Sequence, residues 1–291
     1  MTQVLAIDLG GTQLRAAVSS GDPASLRDLT REPAPASLAD FTGRLAALRA
    51  EVGDVTAIGL AVPGLVENTQ CRWIPNLPYL DGLDIAALFP DLQIGLGNDA
   101  QISLLAEAEA GAARGTSDAI LLAIGTGIGS AVLANGRIVA GARGGACSFG
   151  WACADMDDPG EDRSGWLERM AAGRALDDIA IRLGKANGAE LIAAAREGDS
   201  AAITALQKPV QSLGMALAGA VALLDPEVIL IAGGISAALD VLGQPVLDAM
   251  RRQLPAHLRP IEIRAGTFGA RAGIVGAALA GAAGQNWRQI R

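Results

Sequence analysis

The chemistry available to this chain lies in a few carboxylates and glycine turns. The stretch "VLAIDLGGTQLRAAV", residues 4–18, sets Asp8, Gly10, Gly11 and Thr12 between two apolar runs. Gly-Gly between strands serves as a hairpin turn. The same residues would also cradle phosphate, with glycine N–H groups exposed and Thr12 adding a hydroxyl donor. Asp8 would then hold Mg²⁺, directly or through water, because that ion takes carboxylates and keeps its waters. A second turn, Gly125, Thr126, Gly127, Ile128 and Gly129, also lies between apolar runs. It is neither a Walker A loop nor a dinucleotide fingerprint, since it lacks Gly-Lys-Ser/Thr and a strand pattern follows it. Asn98 and Asp99 stand where a strand pattern meets a helical one. Either residue suits a helix N-cap, and a carboxylate there can also take a proton from a hydroxyl. Gly233-Gly234 reads as a tight turn, or as backbone against which an adenosine lies flat.

The elements that must position these residues follow from periodicity. Residues 4–8 and 13–18 read as a hairpin, 55–64 as a buried strand, and 37–52 as a helix behind a Ser37 N-cap. A strand at 92–99 runs into a helix over 100–115. A second hairpin pattern covers 119–124 and 128–134, with a third strand at 136–141. Residues 142–165 lack periodicity and read as loop. Helical spacing returns at 166–183, 188–196 and 199–224. A strand over 227–236 delivers Gly233-Gly234, and a strand near 261–265 and a helix at 272–284 complete the series. Strands alternating with helices imply an α/β class with partly parallel sheets. "AIDLGGTQLRAAV" and "AIGTGIGSAVL" share one plan, which implies two similar lobes, each opening with a glycine-rich hairpin.

Composition bounds the partners. A chain of 291 residues makes one large or two medium domains. Aromatics are only 3%, so Ala, Leu, Val and Ile must build the core, and 37 glycines imply close backbone approaches. A net charge of −8 without a Lys/Arg run argues against nucleic acid, whose binding rests on neutralised phosphates. Three cysteines and one histidine supply no disulfide framework, which fits a reducing cytoplasm. Residues 1–18 lack a signal-peptide pattern, and the apolar run at 213–224 is too short to span a membrane.

Taken in order, "DLGGT" (8–12), "GLAVPGLV" (59–66), "IPNL" (74–77), "ND" (98–99), "IGTGIGSAVLANGRIVAGA" (124–142), "GWLE" (165–168) and "ILIAGGIS" (229–236) resemble the ROK family (repressors, open reading frames and kinases). The resemblance spans nearly the whole chain. It implies the two-lobed actin-like ATPase, or ribonuclease H-like, fold with a central nucleotide and sugar cleft. The N-terminal lobe would hold residues 1–115 with the C-terminal helix (270–291) packed back on it, and the second lobe 116–269. It implies an ATP-dependent, Mg²⁺-requiring kinase of a hexose or hexose-like substrate, cytoplasmic and homodimeric. Asp8, Gly10, Gly11, Thr12, Gly125, Thr126, Gly127, Gly129, Gly233 and Gly234 would hold ATP and Mg²⁺. Asp99 would be the general base, and Asn98, Glu168, Gly64 and Asn76 would line the sugar pocket.

The chain departs from the family between residues 147 and 168. There the family carries Glu-x-Gly-His and a Cys-x-Cys-Gly-x-x-Gly-Cys loop that together bind zinc. Anchored on Gly150 and Gly165, the histidine becomes Trp151 and the cysteines become Pro159, Glu161 and Trp166. Trp and Pro cannot supply zinc ligands, so the expectation is no zinc, with Trp151 and Trp166 packed in its stead. The same alignment puts Ser148 where the family has a sugar-binding glutamate, so Ser148 and Trp151 enter the sugar pocket and alter its specificity. A non-catalytic sugar-binding protein or a sugar-responsive regulator is the alternative. The regulators carry an N-terminal DNA-binding extension, whereas here the first loop begins at residue 8.

Overall fold

The computed structural model describes residues 3–20, 22 and 25–290. The chain divides into two compact units, one of Met1–Gly115, Gly136–Ala146 and Ala270–Arg291, the other of Thr116–Asn135 and Cys147–Gly269. Residues 136–146, expected in the second lobe, thus cluster with the first.

The first unit is built on five strands: β1 (Val4–Leu9), β2 (Gln13–Ser19), β3 (Arg27–Pro33), β4 (Ala57–Val62) and, after a small hairpin of β5 (Leu65–Glu67) and β6 (Gln70–Trp73), β7 (Gln93–Asn98). Their order is β3-β2-β1-β4-β7, with β1, β2 and β3 antiparallel and β1, β4 and β7 parallel. All six residues of β4 are buried, as a central parallel strand covered on both faces requires. The helices are α1 (Leu38–Val52), the single turn α2 (Ile85–Leu88) and α3 (Asp99–Ala110). Ser37 caps α1 by accepting from Asp40 N–H. The short β10 (Arg137–Ile138) bridges to Gln289 instead of forming the longer strand expected over 136–141.

The second unit repeats this plan. Strands β8 (Ala119–Ile124) and β9 (Ile128–Ala134) form an antiparallel hairpin, and β11 (Val228–Ala232) and β12 (Glu262–Ala265) add parallel to β8. Helices α4 (Trp166–Ala171), α5 (Gly173–Arg182), α6 (Gly188–Arg196), α7 (Ser200–Leu224) and α8 (Leu239–Arg251) surround it. The helix expected over 166–183 is two helices. Ala172 between them is extended (φ −75, ψ 169), and Gly173 N–H donates instead to Gly125 O at 2.7 Å.

The last helix, α9 (Ala272–Ala283), belongs to the first unit and packs on β1, β4, β7 and α3. Its backbone touches theirs. A Cβ on Gly59 of β4 would lie 1.6 Å from Ala277 O, and one on Gly95 of β7 would lie 2.1 Å from Ala280 O. After α9, Trp287 is buried at 1% exposure, with its indole N–H donating to Leu96 O at 3.0 Å. Among the described residues no helix is long and apolar enough to cross a membrane.

Candidate functional site

In each unit a glycine turn and a pair of candidate residues lie at the carboxyl end of the parallel strands, the edge where open α/β sheets bind ligands. In the first unit, Asp8 stands opposite Ala61, which stands opposite Gly97; Asn98 and Asp99 follow one step on. This register brings Asp8 and Asp99 to one edge. The first turn closes with Gly10 N–H donating to Gln13 O at 2.9 Å, and leaves Gly11 and Thr12 exposed. Gly11 lies against Asn76, where a Cβ would come 2.9 Å from that of the asparagine.

Asn98 is the N-cap of α3. Its Oδ1 accepts from Ala100 N–H at 3.0 Å and Gln101 N–H at 3.4 Å, while its Nδ2 donates to Gly64 O at 2.9 Å. The cap uses the amide oxygen and leaves one amide N–H for a ligand. Gly64 takes φ +112, where L residues are strained, and a Cβ there would strike Trp73 O at 2.3 Å.

Asp99 is the first residue of α3. It is open to solvent, yet protein crowds it closely enough that desolvation pushes its pKa up to about 6. The Asp8 carboxylate adds to the rise, while the hydrogen bond from Ala100 N–H at 2.7 Å opposes it. Asp8 is raised too, by burial, against the lowering pull of Arg15. Two carboxylates with raised pKa values at one edge suit a cation near Asp8 and a base at Asp99. Gly273, in the first turn of α9, lies against Asp8: a Cβ there would be 2.8 Å from Cγ and 2.9 Å from each oxygen. The contact of Gly273 with Asp8, and that of Arg15 across the hairpin, were missed; the register of β1 and β2 was the signal for Arg15.

In the second unit the turn spans residues 125–127, closed by Gly125 N–H donating to Gly127 O at 3.0 Å. Gly129 lies inside β9, opposite Ala123, so it belongs to the ladder and not to the turn. Gly125 and Thr126 are exposed, and the space beside Gly125 is open. Because β8 and β11 are parallel, Gly233 arrives beside this turn, with φ +78 and a virtual Cβ 2.5 Å from Ile124 O. Gly234 after it is exposed with open space around it. Exposed N–H-bearing turns with no side chains in the way fit a polyphosphate.

Glu168 ties the turn to the irregular segment. Its Oε1 accepts from Ile128 N–H at 2.8 Å, and its Oε2 from Gly165 N–H at 3.2 Å, so Glu168 caps the start of α4 from its third residue. Gly127 and Gly150 both lie against it, at 2.5 Å from Oε1 and 2.7 Å from Cγ for a virtual Cβ. Ser148 precedes the 3-10 turn Phe149–Trp151 and is exposed. The expected packing of both tryptophans is corrected: Trp166 is buried at 6% exposure, but Trp151 is 49% exposed, because its short turn ends at the surface. Among the described residues no group of three His, Cys, Asp or Glu is placed to hold a metal ion.

Three comparisons bear on this arrangement. A family model described as ROK family matches residues 4–282. The bifunctional enzyme NanE/NanK of Brucella melitensis is 34% identical over 94% of this chain and 53% of that protein. The chain therefore spans about half the length of that relative. A glucokinase of Thermotoga maritima is 29% identical over 95% of this chain and 96% of its own. Among solved structures, a ROK family glucokinase from Streptomyces griseus in complex with glucose and AMPPNP superposes with TM-score 0.79 at 25% identity, over 97% of this chain and all 100% of that one.

Proposed function

The chain belongs to the ROK family and has its actin-like ATPase fold, and on that premise we propose that it is an ATP-dependent kinase acting on a primary hydroxyl of a hexose or hexose derivative. Glucose, an amino or N-acyl hexose such as N-acetylmannosamine, and a sugar-like cyclitol are the candidate acceptors. The observation that carries this reading is Asp99, a carboxylate at a helix start beside a second carboxylate, with its pKa at about 6.

ATP, when bound with Mg²⁺, supplies the γ-phosphoryl group and the metal charge that offsets its oxygens. The chain's own residues do the rest. Gly11 and Gly127 would present backbone N–H groups to phosphate, in turns that Gly10 and Gly125 close. Thr12 and Thr126 add hydroxyl donors, and Gly233 and Gly234 leave room for a flat adenosine. Asp8, packed against Gly273, would hold the metal. Asn98 directs its remaining amide N–H to the acceptor. Glu168, Gly64 and Asn76 shape the sugar pocket, and Ser148 and Trp151 set its specificity. Asp99 Oδ accepts the proton of the attacking hydroxyl; with a pKa of about 6 it is ionised at neutral pH and still a stronger base than an ordinary carboxylate.

Relatives that carry the kinase names favour this over the regulatory or merely sugar-binding alternative. The same reading makes the protein a cytoplasmic homodimer, and three free cysteines support the reducing compartment. A panel of hexoses, acylated amino hexoses and cyclitols assayed with ATP and Mg²⁺ tests the reading. One acceptor with sugar-dependent ADP release is expected; sugar binding without ADP release across the panel would overturn it in favour of the alternative.

A further inference from the structure

One row of side chains crosses the first sheet from Asp8 through Arg15 to Arg31. Asp8 stands opposite Arg15 on β2, and Arg15 opposite Arg31 on β3. Direct cross-strand partners share a face, and like charges so placed repel. Among the described residues neither arginine is ion-paired. Arg15 donates Nη1–H to Ala270 O, and Arg31 donates Nε–H to Gln13 Oε1 at 3.0 Å. Arg271 beside them is differently treated: Asp28 accepts from both its Nη atoms, at 2.7 and 2.9 Å. All three arginines border one cavity of about 430 Å³, walled by Leu29 and Ile274 and reached by Thr30. In a chain of net charge −8, Arg31 has no ion-pair partner among the described residues, and Arg15 has Asp8 as a counter-charge only across the strand.

We propose that this cavity binds a phosphate group, held by Arg15 and Arg31, apart from the glycine turns. A planar guanidinium matches two phosphate oxygens at once. A phosphate dianion neutralises both arginines, whereas a carboxylate neutralises one. The phosphate comes either as the free ion or as the ester of a phosphorylated sugar. The binding itself does not depend on the kinase reading.

The test is calorimetric titration of the full chain with inorganic phosphate, at ionic strength held constant with chloride. Wild type is expected to show one saturable site that Arg31→Gln weakens at least about tenfold, the scale of a lost charge-assisted contact. Arg31→Lys, which keeps the charge and loses the fork, should fall between them. Because Arg31→Gln relieves a repulsive pair, its Tm without phosphate should equal or exceed that of wild type, and phosphate should raise only the wild-type Tm. Repeating the titration with a hexose 6-phosphate separates the sources: tighter binding that Arg31→Gln weakens assigns the ester, since product held in the sugar pocket does not respond to Arg31, and equal binding assigns the free ion. Absence of saturable binding, or equal binding by wild type and Arg31→Gln, would overturn the proposal. Arg31→Gln should retain basal kinase activity, so loss of the phosphate response alone is distinct from failure of the kinase reading.

Discussion

Asp99 and Asp8 set the behaviour of the molecule at the scale of single residues. A carboxyl whose pKa rises on folding holds its proton more tightly in the folded chain. Its contribution to stability is therefore full below the ordinary value of 3.8 and is lost as pH climbs through about 6. Asp99→Asn removes that liability, so differential scanning calorimetry should give the variant a higher Tm than wild type near pH 8. The two should converge below about pH 4. At Gly273 the expected effect is on the metal. A methyl group there must push the Asp8 carboxyl from its 2.8–2.9 Å contacts. Gly273→Ala should then raise the Mg²⁺ concentration for half-maximal activity by roughly tenfold, a scale set by the cost of small misplacements. The sugar KM should change far less. A Mg²⁺ titration at saturating sugar checks this. Asp8, Asn98 and Asp99 were legible in the sequence because each stands at a strand end beside a turn or a helix start. The double use of Glu168 on Ile128 and Gly165 was not, because it depends on segments 40 residues apart meeting.

Among the elements, α9 carries the largest steric constraint. It lies so close on the first sheet that Ala277 O would be 1.6 Å from a Cβ on Gly59. Both sides of that contact are backbone, so neither can turn aside. Gly59→Ala should destabilise the first unit by about 3 kcal/mol or more, at the upper end of overpacking costs, and urea denaturation measures it. The sequence made the hairpins and buried strands readable, since apolar runs flanked glycine turns. It hid β3, whose seven residues are all exposed or half-buried and show no alternation. It also hid α8, where Gly243 and Pro245 interrupt a pattern that nonetheless buries Leu242, Val246, Ala249 and Met250 along one face. The small hairpin of β5 and β6 escaped for a third reason: three- and four-residue strands are too short to show a period. The break at Ala172 is a tertiary effect, because Gly173 N–H finds Gly125 O outside its own helix.

For the molecule as a whole, the same plan occurs twice: an antiparallel hairpin with a glycine turn, then parallel strands whose carboxyl ends lead into Asn98-Asp99 in one unit and Gly233-Gly234 in the other. The departure at 147–168 bears on composition of the purified protein. With Trp151, Pro159, Glu161 and Trp166 at the positions where the family has zinc ligands, elemental analysis should find no stoichiometric zinc that resists chelation. Light scattering across a wide concentration range should give a dimer. The central claim, phosphoryl transfer with Asp99 as base, is tested most directly by the turnover of Asp99→Asn against wild type on the best acceptor, followed across pH. Wild-type kcat/KM should fall as pH drops through about 6, the pKa of the Asp99 carboxyl. Asp99→Asn should lose that limb and turn over about 10²- to 10⁴-fold more slowly, with its KM for ATP nearly unchanged. Wild-type turnover by Asp99→Asn would contradict the account.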